Sequence, residues 1–388
     1  MNPIYCSLKF KELAVHVQSR LLYNCCKAWP ERIELDWLEK NPGKLFHTPT
    51  MIQDRTDMLS GKKSKSCEHG CYRFEDQGQT SKRTKFSKFR KENEYIDNPY
   101  VSMEHLDLSL STECNLTCAY CNAEWSSSWG QDIRKNGEYD IEGYNNRIDN
   151  WQELWKKLKQ KKRSTDSKFF RLLLKEIELA KGLEIINILG GEPLLNNNLF
   201  EVIEKVNDKR IIITTGLGVS DSRFETFLEK IKNKKNISLT LSCDAIGPTF
   251  EFVRYGASWK KFHWMIESLE KNNIEFHFNS VITNLNIFKI EEFYNLFSDK
   301  HGIVYGPVTD RMFLQPNVLD DISKKQLSDS ISNRLEEPFF KQLYSSMNQP
   351  YNEQQKKDCK KFLMEFSKRR NLSLDIFPEH FLKWLEII

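Results

Sequence analysis

The stretch Leu106-Asp107-Leu108-Ser109-Leu110-Ser111-Thr112-Glu113-Cys114-Asn115-Leu116-Thr117-Cys118-Ala119-Tyr120-Cys121 decides how this chain is read. Its first six residues alternate apolar and polar, the period of a half-buried strand. The cysteines that follow, at C-x3-C-x2-C spacing, therefore sit in a loop at a strand's end. Three closely spaced thiolates can hold three irons of a cubane cluster and leave the fourth open, and soft sulfur ligands select for such clusters. Two plainer readings stand beside this one: a zinc knuckle short of one ligand, and cysteines that only pack. Zinc sites more often show paired C-x2-4-C spacings.

Downstream, strands and helices alternate. Apolar runs at 184–189, 210–215, 237–242, 275–282 and 303–308 read as strands. Helical periodicity precedes each, at 166–181, 197–207, 221–232, 259–272 and 288–298. Repeated βα units of this length predict an α/β fold with a parallel sheet, and six strands suit an open or partial barrel. Active sites in such folds lie at the C-terminal ends of the strands.

The distinctive residues fall at those ends. Gly190-Gly191-Glu192-Pro193 closes the second strand, with glycines that admit close backbone approach and a carboxylate. Thr214-Thr215-Gly216 closes the third, and Ser242-Cys243-Asp244 the fourth, with Arg254 beyond it. Val281-Ile282, then Asn284 and Asn286, close the fifth. Hydroxyls and an aspartate suit ribose hydroxyls; an arginine fork suits a carboxylate. Singly, Asp244 reads as a helix cap and Arg254 as a surface ion pair. Their convergence on one rim favours a ligand site.

Residues 1–99 carry Cys6, Cys25, Cys26, Cys67 and Cys71 in an irregular setting with a short strand near 13–17 and a helix over 49–59. Cys6, Cys25 or Cys26, Cys67 and Cys71 could complete a second four-thiolate site; a structural zinc and buried reduced thiols are the alternatives. Neighbouring residues of an extended chain point to opposite sides, so one of Cys25 and Cys26 is expected to ligate, and Cys25 is preferred. Residues 84–100 read as a linker. The stretch from 124 to 163 holds Trp125, Trp129, Trp151 and Trp155, either as a cover over the site or as helical packing at i, i+3, i+4. Residues 311–388 read as a helical extension, with Cys359 structural.

Composition narrows the classes. No apolar run reaches the length of a membrane helix, and the N-terminus has no signal-peptide pattern, so a cytoplasmic protein without a membrane partner is expected. Ten cysteines in a reducing compartment argue for metal binding or catalysis rather than disulfides. A net charge of +4 does not point to nucleic acid. The local basic run Lys82, Arg83, Lys85, Lys88, Arg90, Lys91 reads as a solvated linker, with a zinc-stabilised nucleic-acid-binding module as the competing class.

The combination of Cys114, Cys118, Cys121, the Tyr120 before the last cysteine, Gly190-Gly191-Glu192-Pro193, and Ser242, Asp244 and Arg254 resembles the radical S-adenosylmethionine (SAM) enzymes over about 103–310. The resemblance implies a partial (β/α)6 TIM-type barrel at 100–310. It implies a [4Fe-4S] cluster on the three cysteines, with SAM chelating the open iron and cleaved by one electron to methionine and a 5′-deoxyadenosyl radical. Gly190, Gly191, Glu192 and Pro193 would face the SAM amino group. Thr215, Ser242, Asp244 and Arg254 would serve ribose and carboxylate, and Val281 and Ile282 would cover adenine. A flavodoxin- or ferredoxin-type electron donor and a peptide or small-molecule substrate follow, with a nucleoside or sugar as the alternative.

The N-terminal stretch is similar to the auxiliary-cluster module of the twitch/SPASM subfamily. The residues that carry this are Arg55, Met58, Leu59 and Gly61, then Cys67 and Cys71, then Glu75, Gly78, Ser81 and Arg83. This implies a second [4Fe-4S] cluster on Cys6, Cys25, Cys67 and Cys71, fully ligated and so not in contact with substrate. In better-known members that module follows the barrel; here it precedes it.

Overall fold

A computed structural model describes residues 4–76, 78, 81–84, 96–142 and 167–388. The Trp151, Leu154 and Trp155 pattern, most of the proposed linker, and Lys85, Lys88, Arg90 and Lys91 of the basic run lie outside the described residues.

In chain order the strands are β1 (Glu12–His16), β2 (Leu21–Tyr23), β3 (Glu31–Arg32), β4 (His105–Ser109), β5 (Thr117–Cys118) and β6 (Ile185–Leu189). They continue with β7 (Arg210–Thr215), β8 (Ile237–Ser242), β9 (Arg254–Tyr255), β10 (Phe276–Ile282) and β11 (Ile303–Pro307). The chain forms two compact units, the first of Met1–Ser111, Leu158–Ile213 and Asn233–Ser238, taken over their described residues, and the second of the remainder.

In the first unit the strands run in the order β7–β6–β4–β1–β2–β3. β4, β6 and β7 are parallel, and β1 is parallel to β4 with Glu12 opposite His105; β2 and β3 are antiparallel additions. The N-terminal stretch thus supplies strands beside β4. The helix Ser167–Leu179 buries Phe169, Phe170, Leu173, Leu174 and Ile177, an i, i+3/i+4 stripe. Each such side chain contributes roughly 1.5–3 kcal/mol when fully buried. The helix Pro49–Leu59 starts as its sequence dictates, with Pro49 in the first turn and the Thr48 hydroxyl accepting from Met51 N.

In the second unit β8, β10 and β11 are parallel in that order, and β10 alternates buried and half-buried residues along its length. Phe278 of β10 packs on Phe293 and Phe297 of the helix Ile290–Phe297. β5 and β9 form a separate antiparallel pair. The C-terminal part is helical: Asp321–Ser330, Pro338–Met347, Glu353–Arg370 and Glu379–Trp384. Glu353–Arg370 opens on a capping box between Asn352 and Gln355. Cys359 is fully buried, 3.3 Å from Asn284 Nδ2, as its structural reading requires.

The architecture is mixed α/β with largely parallel strands, as the βα rhythm predicts. β4 is shorter than the alternation suggests. It ends at Ser109, and Ser111 carbonyl instead accepts from Gly191 N at 2.9 Å. No described helix is long and apolar enough to cross a membrane.

Candidate active site

The cysteine loop is held from behind. Thr117 and Cys118 pair with Tyr255 and Arg254 across the β5–β9 ladder, and Ala119 N donates to Val253 carbonyl at 2.7 Å. The carbonyls of the cysteine-bearing turns are then satisfied one by one. Ser127 and Ser128 hydroxyls donate to Cys114 carbonyl at 3.1 and 2.6 Å, Ser126 Oγ donates to Leu116 carbonyl at 2.8 Å, and Trp129 Nε1 donates to Cys118 carbonyl at 3.0 Å. Arg311 donates to Cys121 carbonyl, and its guanidinium lies over Trp129 at 4.7 Å and Phe362 at 5.0 Å. Buried carbonyls must be paired, so these donors fix the loop's course. Cys118 is buried; Cys114 and Cys121 are half-buried. Burial, then the neighbouring Cys118, pushes the Cys121 thiol up to about 12.

Beside the loop lies a buried polar knot. Tyr120 Oη donates to Asp244 Oδ2 at 2.6 Å, and Arg254 Nη1 donates to the same oxygen at 2.9 Å and also to Tyr120 Oη. Asp244 Oδ1 accepts from Val281 N at 2.7 Å. Asn286 Nδ2 donates to the carbonyls of Asp244 and Val281, both at 2.8 Å. Asp244 and Asn286 are fully buried and Arg254 nearly so. Burial raises the Tyr120 pKa well above its usual value. Burial opposes the Arg254 cation, but Cys118, Tyr120 and Asp244 outweigh it and hold it charged. Arg254 Nε is buried and has no partner among the described residues, a donor left over for a ligand acceptor. Val281 is half-buried and Ile282 fully buried. Ser242 is half-buried opposite Asn279 on β10, and Thr215 Oγ1 accepts from Leu217 N at 2.9 Å.

In the first unit, Gly190 has φ +129°, and a Cβ there would meet Ser111 carbonyl oxygen at 2.7 Å. Its glycine is thus required by the chain's own β4 end. Glu192 is buried and accepts from Leu194 N at 3.2 Å, capping the short turn Pro193–Leu195. Gly190→Ala is expected to cost about 1–3 kcal/mol from backbone strain alone, read as a lowered urea midpoint at unchanged slope. An unchanged midpoint would contradict this geometry.

Residues 108–297 match the Radical SAM superfamily, a span from β4 to the end of the helix after β10. The chain carries a radical SAM enzyme domain. Two curated relatives are similar to part of it. The probable GTP 3′,8-cyclase of Methanocaldococcus jannaschii is 28% identical over 145 residues, covering 37% of this chain and 37% of its own length. The GTP 3′,8-cyclase of Sulfurovum sp. is 24% identical over 153 residues, covering 39% and 38%. The chain therefore spans well under half the length of the curated relatives it matches. Among solved structures, Streptococcus suis SuiB bound to S-adenosylmethionine aligns at TM-score 0.39 and 15% identity, over 84% of this chain and 69% of that one. The radical SAM domain implies one [4Fe-4S] cluster and SAM.

The N-terminal cysteines lie outside the matched span. Cys6, Cys25 and Cys67 share one packed cluster with Tyr5, Leu8, Phe10, Ala28, Met58 and Tyr72, and Cys71 is also buried. Burial, then Cys67, raises the Cys6 thiol to about 11, and burial raises Cys67. Cys26 is exposed, 3.3 Å from Lys82 Nζ, whereas Cys25 is buried in the packed cluster. The residues of the extended N-terminal motif brace this cluster. Arg83 pairs with Glu75, Ser81 donates to Glu75, and the Arg83 guanidinium lies 5.4 Å from the centre of the Tyr72 ring. Arg55 holds the carbonyls of Phe46 and Pro99.

Among the described residues, no three His, Cys, Asp or Glu side chains stand within reach of a single ion. Both cysteine sets fit iron–sulfur ligation in donor chemistry alone: none of these cysteines is in a disulfide, and thiolate sulfur is the donor such clusters take.

Trp129, Arg311 and the serines 126–128 carry no motif of their own, and sequence reading misses their support of the loop. The one legible signal is Ser126 as an N-cap before Ser127–Asn136.

Proposed function

We propose that the protein is an iron–sulfur oxidoreductase that cleaves SAM reductively and abstracts hydrogen from a peptide or small-molecule substrate. The observation that carries this is the loop of Cys114, Cys118 and Cys121, with its carbonyls capped and the Tyr120–Asp244–Arg254 knot behind it. The three thiolates would hold a [4Fe-4S] cluster. When bound, that cluster supplies the electron that cleaves SAM to methionine and a 5′-deoxyadenosyl radical.

The chain's own residues do the rest. Gly190 to Pro193 offer backbone and the Glu192 carboxylate to the SAM amino group. Arg254 Nε offers a donor to its carboxylate. Ser242 and Thr215 suit ribose, and Val281 and Ile282 suit adenine. Asp244 acts by position: both its oxygens are engaged within the protein, so it holds Tyr120, Arg254 and the Val281 amide in register. The same reading takes residues 100–310 as a partial (β/α)6 barrel, 1–99 as a twitch-like module with a second [4Fe-4S] cluster on Cys6, Cys25, Cys67 and Cys71, and 311–388 as an extension. It takes the protein as cytoplasmic and reduced by a flavodoxin- or ferredoxin-type donor.

A nucleotide substrate is the second reading, favoured by the two GTP 3′,8-cyclases among the relatives. The test uses the full chain, reconstituted anaerobically with iron and sulfide and mixed with SAM and dithionite. The expected result is a brown protein releasing methionine and 5′-deoxyadenosine in equal amounts. A loaded brown protein that releases neither sinks the proposal. Added GTP consumed in step with 5′-deoxyadenosine would move the substrate to the nucleotide class.

A further inference from the structure

Lysine is almost never fully buried unless paired. Lys9 is fully buried in the first unit, and its surroundings are specific. Its ammonium has three protons, and three acceptors receive them: Asp54 Oδ2 at 2.8 Å, Asn24 Oδ1 and Ser66 Oγ. Asn24 immediately precedes Cys25, and Ser66 immediately precedes Cys67. Lys9 itself closes the turn that begins at Cys6, with its amide donating to Cys6 carbonyl at 3.1 Å. One side chain therefore touches, or sits on, three of the segments that bear the four cysteines.

Asp54, on the helix Pro49–Leu59, completes the node. It accepts from Asn24 Nδ2 at 2.9 Å, Ser64 Oγ at 2.7 Å and Ser66 Oγ at 2.5 Å. The fourth segment is locked by shape. A Cβ on Gly70, next to Cys71, would meet Lys27 carbonyl oxygen at 2.2 Å, so that turn is pressed on the chain just after Cys25. Trp29 N donating to Ser66 carbonyl at 2.6 Å ties the same two segments.

We propose that Lys9 is the positioning residue of the N-terminal site, holding the segments of Cys6, Cys25 and Cys67 in the register that lets four thiolates share one cluster. Asp54 neutralises the ammonium, so the node acts through geometry. This rests on the two-cluster reading above. A node that served folding alone would not need its two neutral acceptors to be the residues that adjoin cysteines.

The test counts iron and records EPR spectra on the full chain. Wild type is expected to hold about eight irons and Lys9→Met/Asp54→Asn about four, since the double change removes the node without stranding a buried charge. The SAM-dependent change in the remaining cluster's spectrum is expected to persist. A double variant with about eight irons and an unchanged second-cluster spectrum overturns the inference. Should it not fold, Ser66→Ala removes the hydroxyl that Lys9 and Asp54 share and keeps the ion pair; it is expected to lose second-cluster iron while the protein stays folded, and full loading with a wild-type spectrum overturns the inference. A wild type holding only about four irons would overturn the second-site reading itself, and this inference with it, whatever the variants do.

Discussion

Cys118→Ala is expected to abolish release of 5′-deoxyadenosine, to below the detection limit, while the protein stays folded. The two effects separate because of how the loop is built. Cys118 carbonyl is held by Trp129 Nε1 and the chain on either side by the β5–β9 ladder, and neither contact involves the thiol. Removing a single buried sulfur costs on the order of 1 kcal/mol in lost burial. If Cys118 is one of three cluster ligands, as proposed, its removal would by contrast take away the site's ability to hold the cluster for SAM. The measurement is single-turnover product analysis with dithionite, alongside the denaturant midpoint and an iron count. Retained 5′-deoxyadenosine release would refute the ligand assignment. Loss of release together with global unfolding would refute the argument that the loop is braced independently of its thiols.

Asp244→Ala should unfold the protein more readily than any other substitution discussed, by about 3–5 kcal/mol, the range for breaking a buried ion pair from one side. Arg254 would lose its carboxylate in a site where water does not reach, and Tyr120 Oη and Val281 N would each lose an acceptor. Equilibrium urea unfolding of the cluster-free protein reads the effect directly. Asp244→Asn keeps an acceptor for Val281 N but puts an amide NH2 where Oδ2 accepts from Tyr120 and Arg254, so it forfeits the charge and one acceptor, and its loss should fall between wild type and alanine. If alanine costs less than about 1 kcal/mol, the knot is not the strut described above, and Asp244 is better read as a ribose contact.

Much of this was legible without coordinates because burial imposes period. Strands such as Ile185–Leu189 and Phe276–Ile282 and helices such as Asp221–Ile231 fell within one or two residues of where hydrophobic spacing put them. The candidate site residues stand out in the sequence because closely spaced cysteines and turn-forming strand ends are local patterns. Their pairing does not. Asp244 and Arg254 read as two ligand contacts and are joined to each other, and Gly190 reads as room for a ligand and is pressed on Ser111.

The amino-acid order by itself determined the element types, the radical SAM domain and which thiols are candidates, since each depends on neighbours a few residues apart. The tertiary structure alone decided what stands behind them. Arg311 reaches Cys121 across 190 positions, Arg254 reaches Tyr120 across 134, and Lys9 reaches Asp54 across 45 and Ser66 across 57. A buried polar group must find its partner wherever packing places one, and no local pattern records that distance.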